Sequence, residues 1–168
     1  IINIAERNAD LSGMDLSGMV LTGGVGGINF SGANLKNSTL LNINCLINAD
    51  NADLENATVR DCRLDNSTMT GDNLTGENFK GKNSATGLKA KNIKLCGTNL
   101  GGAHLTNSDF GGANVANANF GGSQMMGVNM GNAKGALNLR QMRPSNDTPS
   151  YMARAMKLRA NYMHGPSI

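Results

Sequence analysis

Residues 9–18 read Ala-Asp-Leu-Ser-Gly-Met-Asp-Leu-Ser-Gly, one five-residue unit written almost twice. Each unit runs small, Asp or Asn, large apolar, polar, then small or polar. It returns as Ala33-Asn34-Leu35-Lys36-Asn37, as Ala113-Asn114-Val115-Ala116-Asn117 and as Ala118-Asn119-Phe120-Gly121-Gly122. A helix would repeat its apolar residues every 3.6 positions and a half-buried strand every 2, so a period of five belongs to neither. Short units repeated at a fixed period are the mark of a solenoid, in which one unit cannot bury its own apolar face and neighbours must stack on it. The large apolar position is called the centre below.

Over residues 9–135 the sequence resembles the pentapeptide-repeat family, whose motif is Ala-(Asp/Asn)-Leu-x-x, with about 25 nearly consecutive units. The resemblance implies an all-β solenoid: a right-handed quadrilateral β-helix in which four units make a square coil. The centre and the small residue two before it would point inward, and the other three outward. Written four to a coil, the centres form four columns. The first is Leu11, Phe30, Ala49, Met69, Ala90, Phe110 and Met130; the second Leu16, Leu35, Leu54, Leu74, Leu95 and Val115. The third is Leu21, Leu40, Val59, Phe79, Leu100 and Phe120; the fourth Val25, Cys45, Leu64, Ala85, Leu105 and Met125. No centre is polar. The register slips by one residue between Leu21 and Val25, between Cys45 and Ala49, and between Phe79 and Ala85, each time beside the fourth column. At about 4.8 Å per coil, roughly six coils make a rod of about 30 Å. Gly13, Gly18, Gly32, Gly102 and Gly122 suit corners with unusual backbone angles. Met14, Met19, Ile28, Ile43, Ile47, Leu88 and Ile93 stand where the motif has Ala. Asp72, Glu77 and Asn83 put polar groups there, which predicts a distorted boundary between the third and fourth coils.

The ends of such a rod need capping. Residues 1–8 are expected as an N-terminal cap, with Ile1, Ile2 and Ile4 over Leu11 and Leu16. The repeats fade after Gly135, residues 136–147 read as a linker, and residues 148–168 read as an amphipathic helix and tail. Asp147 or Thr148 is its N-cap, Pro149 lies in its first turn, and Gly165-Pro166 stops it. Tyr151, Leu158 and Tyr162 form its apolar stripe, flanked by methionines, and Arg154, Lys157 and Arg159 lie on the other side. The stripe would cover the rod's own end or meet another subunit.

Composition supports a thin core: aromatics are 4% of the chain, Trp is absent, and Gly numbers 22. No apolar run approaches the roughly 18 residues of a membrane helix, so a soluble chain is expected. The chain opens on Ile1 rather than Met, as a processed or truncated product does. The formal net charge of +3 arises in the segment after Gly135, where five Arg and Lys residues face only Asp147.

Candidate chemistry is sparse, and neither a catalytic constellation nor a cofactor or metal site is expected. His104 falls at an outward position and His164 at the end of the tail helix, neither with a partner at useful spacing. Cys45, Cys62 and Cys96 lack the paired spacing of a zinc site. Cys45 and Cys62 should lie close, as buried thiols or as a disulfide; Cys96 points outward. Lys80, Lys82, Lys89, Lys91 and Lys94 form a basic band around one coil, either a solvated ring, with Asp109 stacked over Lys89, or an attractor of an acidic partner. Val20, Leu41 and Leu46 are apolar at outward positions near the N-terminal end and suggest a docking patch.

These features point to a non-catalytic protein-binding or scaffolding subunit, acting on protein partners or as a homodimer through a face of the rod and the tail helix. No nucleic acid is expected as a partner. The family resemblance also implies two alternatives, a DNA-mimicking rod that binds topoisomerase (gyrase) and a secreted bacterial effector scaffold. It leaves both the bacterial cytoplasm and the chloroplast or thylakoid compartment open. A near-neutral rod with a lysine band departs from the acidic surface that DNA mimicry needs.

Overall fold

The five-residue unit is a tight turn plus one extended residue. The centre's carbonyl accepts the N–H three residues on: Ala33 to Phe30 at 2.9 Å, Ala52 to Ala49 at 3.0 Å, Ala113 to Phe110 at 3.0 Å. The third residue of each of these turns has positive φ, 66° at Gly32, 59° at Asn51 and 71° at Gly112, the requirement of a type II turn. Gly and Asn are the residues that tolerate that conformation, which is why they alternate at the corners. The Asp or Asn of the motif has its own task. Its side-chain oxygen accepts the N–H two residues on, as Asn34 does from Lys36 at 3.1 Å and Asn119 from Gly121 at 2.9 Å. A short side chain that bonds its own backbone in this way holds the extended residue against the coming turn.

The computed structural model describes residues 1–79 and 82–135. Within them the chain is an all-β solenoid without a helix, and every strand pairing and bridge is parallel. The strands are β1 (Ile2–Asp10), β2 (Val20–Asn29), β3 (Thr39–Leu41), β4 (Ile47–Asn48) and β5 (Thr58–Arg60). Beyond them, single bridges carry the pairing onward in four rows. The Asp15 row runs Asp15, Asn34, Asp53, Asn73, Lys94, Asn114 and Lys134. The Asp10 row runs Asp10, Asn29, Asn48, Thr68, Lys89, Asp109 and Asn129. The Val20 row continues through Thr39, Thr58, Asn78, Asn99 and Asn119, and the Asn44 row through Arg63, Ser84, His104 and Gln124. Partners are 19 residues apart at Asp15–Asn34, 20 at Asp53–Asn73 and 21 at Asp65–Thr86. Those steps follow the two deletions and the one insertion in the register, and the bridged rows continue past all three.

The centres fill the interior: Phe30, Leu35, Leu54, Leu64, Met69, Leu74, Leu95, Leu105 and Phe110 are all buried. Each large apolar side chain so buried contributes on the order of 2 kcal/mol. Three expectations change at the N-terminal end. Val25, expected as a centre, is 45% exposed. The segment around it holds Gly23, Gly24, Gly26 and Gly27, all at positive φ, and the pairing of β1 with β2 shifts register on either side of Arg7. A Cβ on Gly24 would meet Cys45 Sγ and Ile28 Cδ1, each at 2.8 Å. Gly24, not Val25, is therefore the residue that stands against those two side chains. Met14, expected inward, is exposed. β1 covers β2 alone, and nothing among the described residues pairs with the Asp15 row before Asp15. Ile1 and Ile2 are exposed while Ile4 is buried, because β1 runs as one more parallel layer beside β2. The linker and helix expected after Gly135 lie outside the described residues.

Candidate functional site

The outward surface is a lattice. Along each row, side chains of successive coils sit one strand spacing apart, about 4.8 Å, and bond one another: Asn34 Nδ2 donates to Asp15 Oδ1 at 3.2 Å and Asn129 Nδ2 to Asp109 Oδ1 at 3.0 Å.

The lysine band is outward as expected where it is described. Lys82, Lys89, Lys91 and Lys94 are exposed, and Lys80 is outside the described residues. Lys89 bridges to Asp109 through the backbone, but the ammonium within reach of that carboxylate is Lys91's, at 3.9 Å. A pair so long and so wet contributes little.

The three apolar residues near the N-terminal end sit differently from one another. Val20 and Leu41 are half-buried; Val20 pairs with Thr39 and Leu41 with Arg60. Leu46 is 55% exposed and lies elsewhere, in an open groove of roughly 480 Å³ with Asn8, Gly27, Ile28, Asn48 and Thr68. Tyr151, Leu158, Tyr162, Arg154 and Lys157 are outside the described residues. His104 is exposed on the Asn44 row, between Ser84 and Gln124, and His164 is outside the described residues.

The cysteines are free. Cys62 is fully buried, accepts the Ile43 N–H at 3.4 Å and donates to Leu40 O at 3.3 Å. Burial pushes its thiol up to about 11 and raises that of Cys45 as well. Both are held in the thiol form more firmly than a free cysteine. Among the described residues no cluster of His, Cys, Asp and Glu is placed to hold a metal ion.

Inside the rod, one coil differs from the rest. Its four inward small positions are Ser67, Asp72, Glu77 and Asn83, all buried. Three of them reach back one coil to the N–H of the equivalent residue: Ser67 Oγ accepts Ile47 N–H at 2.9 Å, Asp72 Oδ1 accepts Ala52 N–H at 2.9 Å, and Asn83 Oδ1 accepts Cys62 N–H at 3.0 Å. Asp72 Oδ2 and both Glu77 oxygens have no hydrogen-bond partner. The Val59 N–H, which opposes the shift of Glu77, bonds Asn78 O at 3.0 Å. Burial raises Asp72 to about 9, with Asp50 and Asp53 adding to the shift and the Ala52 N–H opposing it, and burial raises Glu77 well above the usual carboxylate range. Burial thus favours the protonated form of both carboxyls. The distortion expected here is an insertion between Asn78 and Ser84, and the ladders run through it: Thr58–Asn78–Asn99 and Arg63–Ser84–His104.

The fold and its lattice define a parallel β-solenoid built from five-residue turns. The chain carries pentapeptide repeats: residues 91–134 match the family model of that name in eight copies. No curated protein sequence matches the chain. Among solved structures, a trypsin-treated form of QnrB1, a plasmid-mediated fluoroquinolone resistance protein, is similar at 20% identity and TM-score 0.37, covering 96% of this chain and 86% of its own. HetL, a pentapeptide repeat protein involved in heterocyst differentiation regulation in the cyanobacterium Nostoc sp. strain PCC 7120, is similar at 17% identity and TM-score 0.36, over 88% of this chain and 91% of its own. A pentapeptide repeat protein of the Arabidopsis thaliana thylakoid lumen is similar at 20% identity and TM-score 0.33, over 86% of this chain and 77% of its own. Likenesses this slight carry nothing further about this chain. No helix of the described residues is long and apolar enough to cross a membrane.

Proposed function

We propose that the chain is a non-catalytic protein-binding scaffold, its repeats wound as a right-handed quadrilateral β-helix of about six coils. The observation that carries this reading is the lattice itself: outward side chains held in continuous rows by the backbone and by their own hydrogen bonds, beside an apolar groove around the exposed Leu46. Preorganised side chains lose little freedom on binding, so even a modest contact area can be selective. The lysine band and the basic tail residues Arg154 and Lys157 favour a partner with an acidic surface.

Gentle affinity purification tests this, with wild type, Leu46→Asp and Lys89→Glu/Lys94→Glu compared side by side. A specific protein partner should be retained by wild type and lost from at least one variant, with the fold unchanged by circular dichroism. A partner retained equally by all three would remove these faces from the function. The rival gyrase reading requires an acidic surface along the rod, and Lys82, Lys89, Lys91 and Lys94 run against it. A supercoiling assay should accordingly show neither inhibition of gyrase nor rescue from quinolone at micromolar protein.

A further inference from the structure

The Asp15 row has a charge pattern that none of the other three shares. In order it reads Asp15, Asn34, Asp53, Asn73, Lys94, Asn114, Lys134: acid, amide, acid, amide, base, amide, base. The pattern inverts its sign about Asn73. Each rung is exposed or half-buried. Asp15 and Asp53 each accept an amide from the next coil through Oδ1, from Asn34 and Asn73. Asp53 also meets Lys36 at 3.5 Å, a wet pair. Among the described residues Lys94 and Lys134 make no ion pair.

We propose that this face docks on the same face of a second copy of the chain, the two rods antiparallel. The two-fold axis lies in the interface, across the rods, at the level of Asn73. That operation sets Asp15 against Lys134 of the second copy, Asn34 against its Asn114, Asp53 against its Lys94, and Asn73 against its Asn73. The contact is isologous, so every pair occurs twice. The flanking row behaves in the same way. Lys36, Glu55, Thr75, Cys96 and Ala116 stack through the bonds Asn37 N to Glu55 O, Asn56 N to Thr75 O, Gly76 N to Cys96 O and Gly97 N to Ala116 O. Under the same axis Thr75 meets Thr75, Glu55 meets Cys96 and Lys36 meets Ala116, with no like charges opposed. Parallel rods would put Asp15 on Asp15, Asp53 on Asp53 and Lys94 on Lys94, so repulsion selects the antiparallel arrangement. Six steps of about 4.8 Å give a contact about 29 Å long. A single polar face of that length stays below the roughly 1,200 Å² of a standard interface, so the dimer is weak and salt-sensitive. This inference is independent of the partner-binding reading, since its test needs no partner.

Sedimentation equilibrium of the full chain at about 20 mM and about 300 mM salt tests it. Wild type should dimerise at low salt and dissociate at high salt. Asp53→Lys and Lys94→Asp, each altering two symmetry-related contacts, should each weaken the dimer about tenfold. The double swap Asp53→Lys/Lys94→Asp should restore it. Where a single variant fails to fold, the outer pair Asp15→Lys and Lys134→Asp, with their double swap, gives the same reading. A monomer at low salt, a dimer indifferent to both single substitutions, as one held by the tail segment would be, or a double swap that fails to recover association would each overturn the proposal.

Discussion

The coil lined by Ser67, Asp72, Glu77 and Asn83 and the coil after it, lined by Leu88, Ile93, Thr98 and Ala103, share one backbone plan. Turn bonds match: Glu77 N to Leu74 O at 3.0 Å in one, Thr98 N to Leu95 O at 3.1 Å in the other. The bonds that join the two coils are of ordinary length, with Gly71 N to Lys91 O at 2.9 Å and Lys94 N to Asp72 O at 2.8 Å. What differs is the lining. The first coil keeps two buried carboxyls with unpaired oxygens; the second has one inward polar group, Thr98, whose hydroxyl donates to Leu74 O. The turn chemistry and the outward row therefore fix the ladder, and the inward small position tolerates a change in polarity that a compact core would not.

The largest effect should come from a centre. Leu74→Asp places a carboxyl where the buried Leu74 now packs, in the coil that already holds two, at a cost of several kcal/mol. Loss of the β-sheet signal in circular dichroism at room temperature is the expected result. A folded Leu74→Asp protein would mean that the polar-lined coil admits water.

Next comes pH. Asp72 holds its proton in the fold up to about 9 while an unfolded carboxyl releases it near 4, and Glu77 is raised in the same direction. Stability from these groups is thus full below about pH 4 and declines as pH rises toward their raised folded values. The opposing trend is confined to acid: Asp10 and Asp15, lowered by hydrogen bonds from Ser12 and Ser17, lose their contribution as pH falls through their folded values. Urea melts from pH 5 to 8.5 should show falling stability, and Asp72→Asn/Glu77→Gln should flatten the slope. A wild-type slope equal to that of the double variant would show that the lining is hydrated and ionised.

The smallest effect is at a corner. Gly71 and Asn92 occupy equivalent corners of the two coils, at φ 71° and 59°. A Cβ on Gly71 would lie 2.6 Å from Asn51 Oδ1, the side chain of the corner beneath. Gly71→Ala should cost about 1–2 kcal/mol and Asn92→Gly a few tenths, read as shifts in thermal midpoint. Equal shifts would remove the distinction between a corner chosen for its backbone and one chosen for its neighbour.

Much of this was legible in the amino acids. The period of five, the four columns and the three slips predicted ladders that the bridges follow, because a centre such as Leu54 or Leu95 has one apolar place to go. Val25 and Met14 were misread for a physical reason: a column predicts burial only where a coil lies on both sides, and four glycines around Val25 free the backbone to turn it outward. The corner role of Asn was also missed. Its signal was present, since Asn37, Asn56, Asn66 and Asn117 hold the same place in the unit as Gly18, Gly76, Gly87 and Gly97. The Asp15 row lies one position before the second column and so was present in the sequence, but its charge pattern went unread because its members lie about 20 positions apart in the chain.

That spacing bears on how the rod forms. Each residue bonds to one about 20 positions away whether it sits in the second coil or the last, as Leu16 N to Asn34 O and Val115 N to Lys134 O show. The loop to be closed at each step therefore stays short however long the rod becomes, and its entropy cost does not grow with the chain. Assembly can proceed as a zipper advancing from any coil that has formed, with each new layer laid on a finished edge. Along such a path the coil of Ser67, Asp72, Glu77 and Asn83 is the layer whose closure takes two carboxyls out of water.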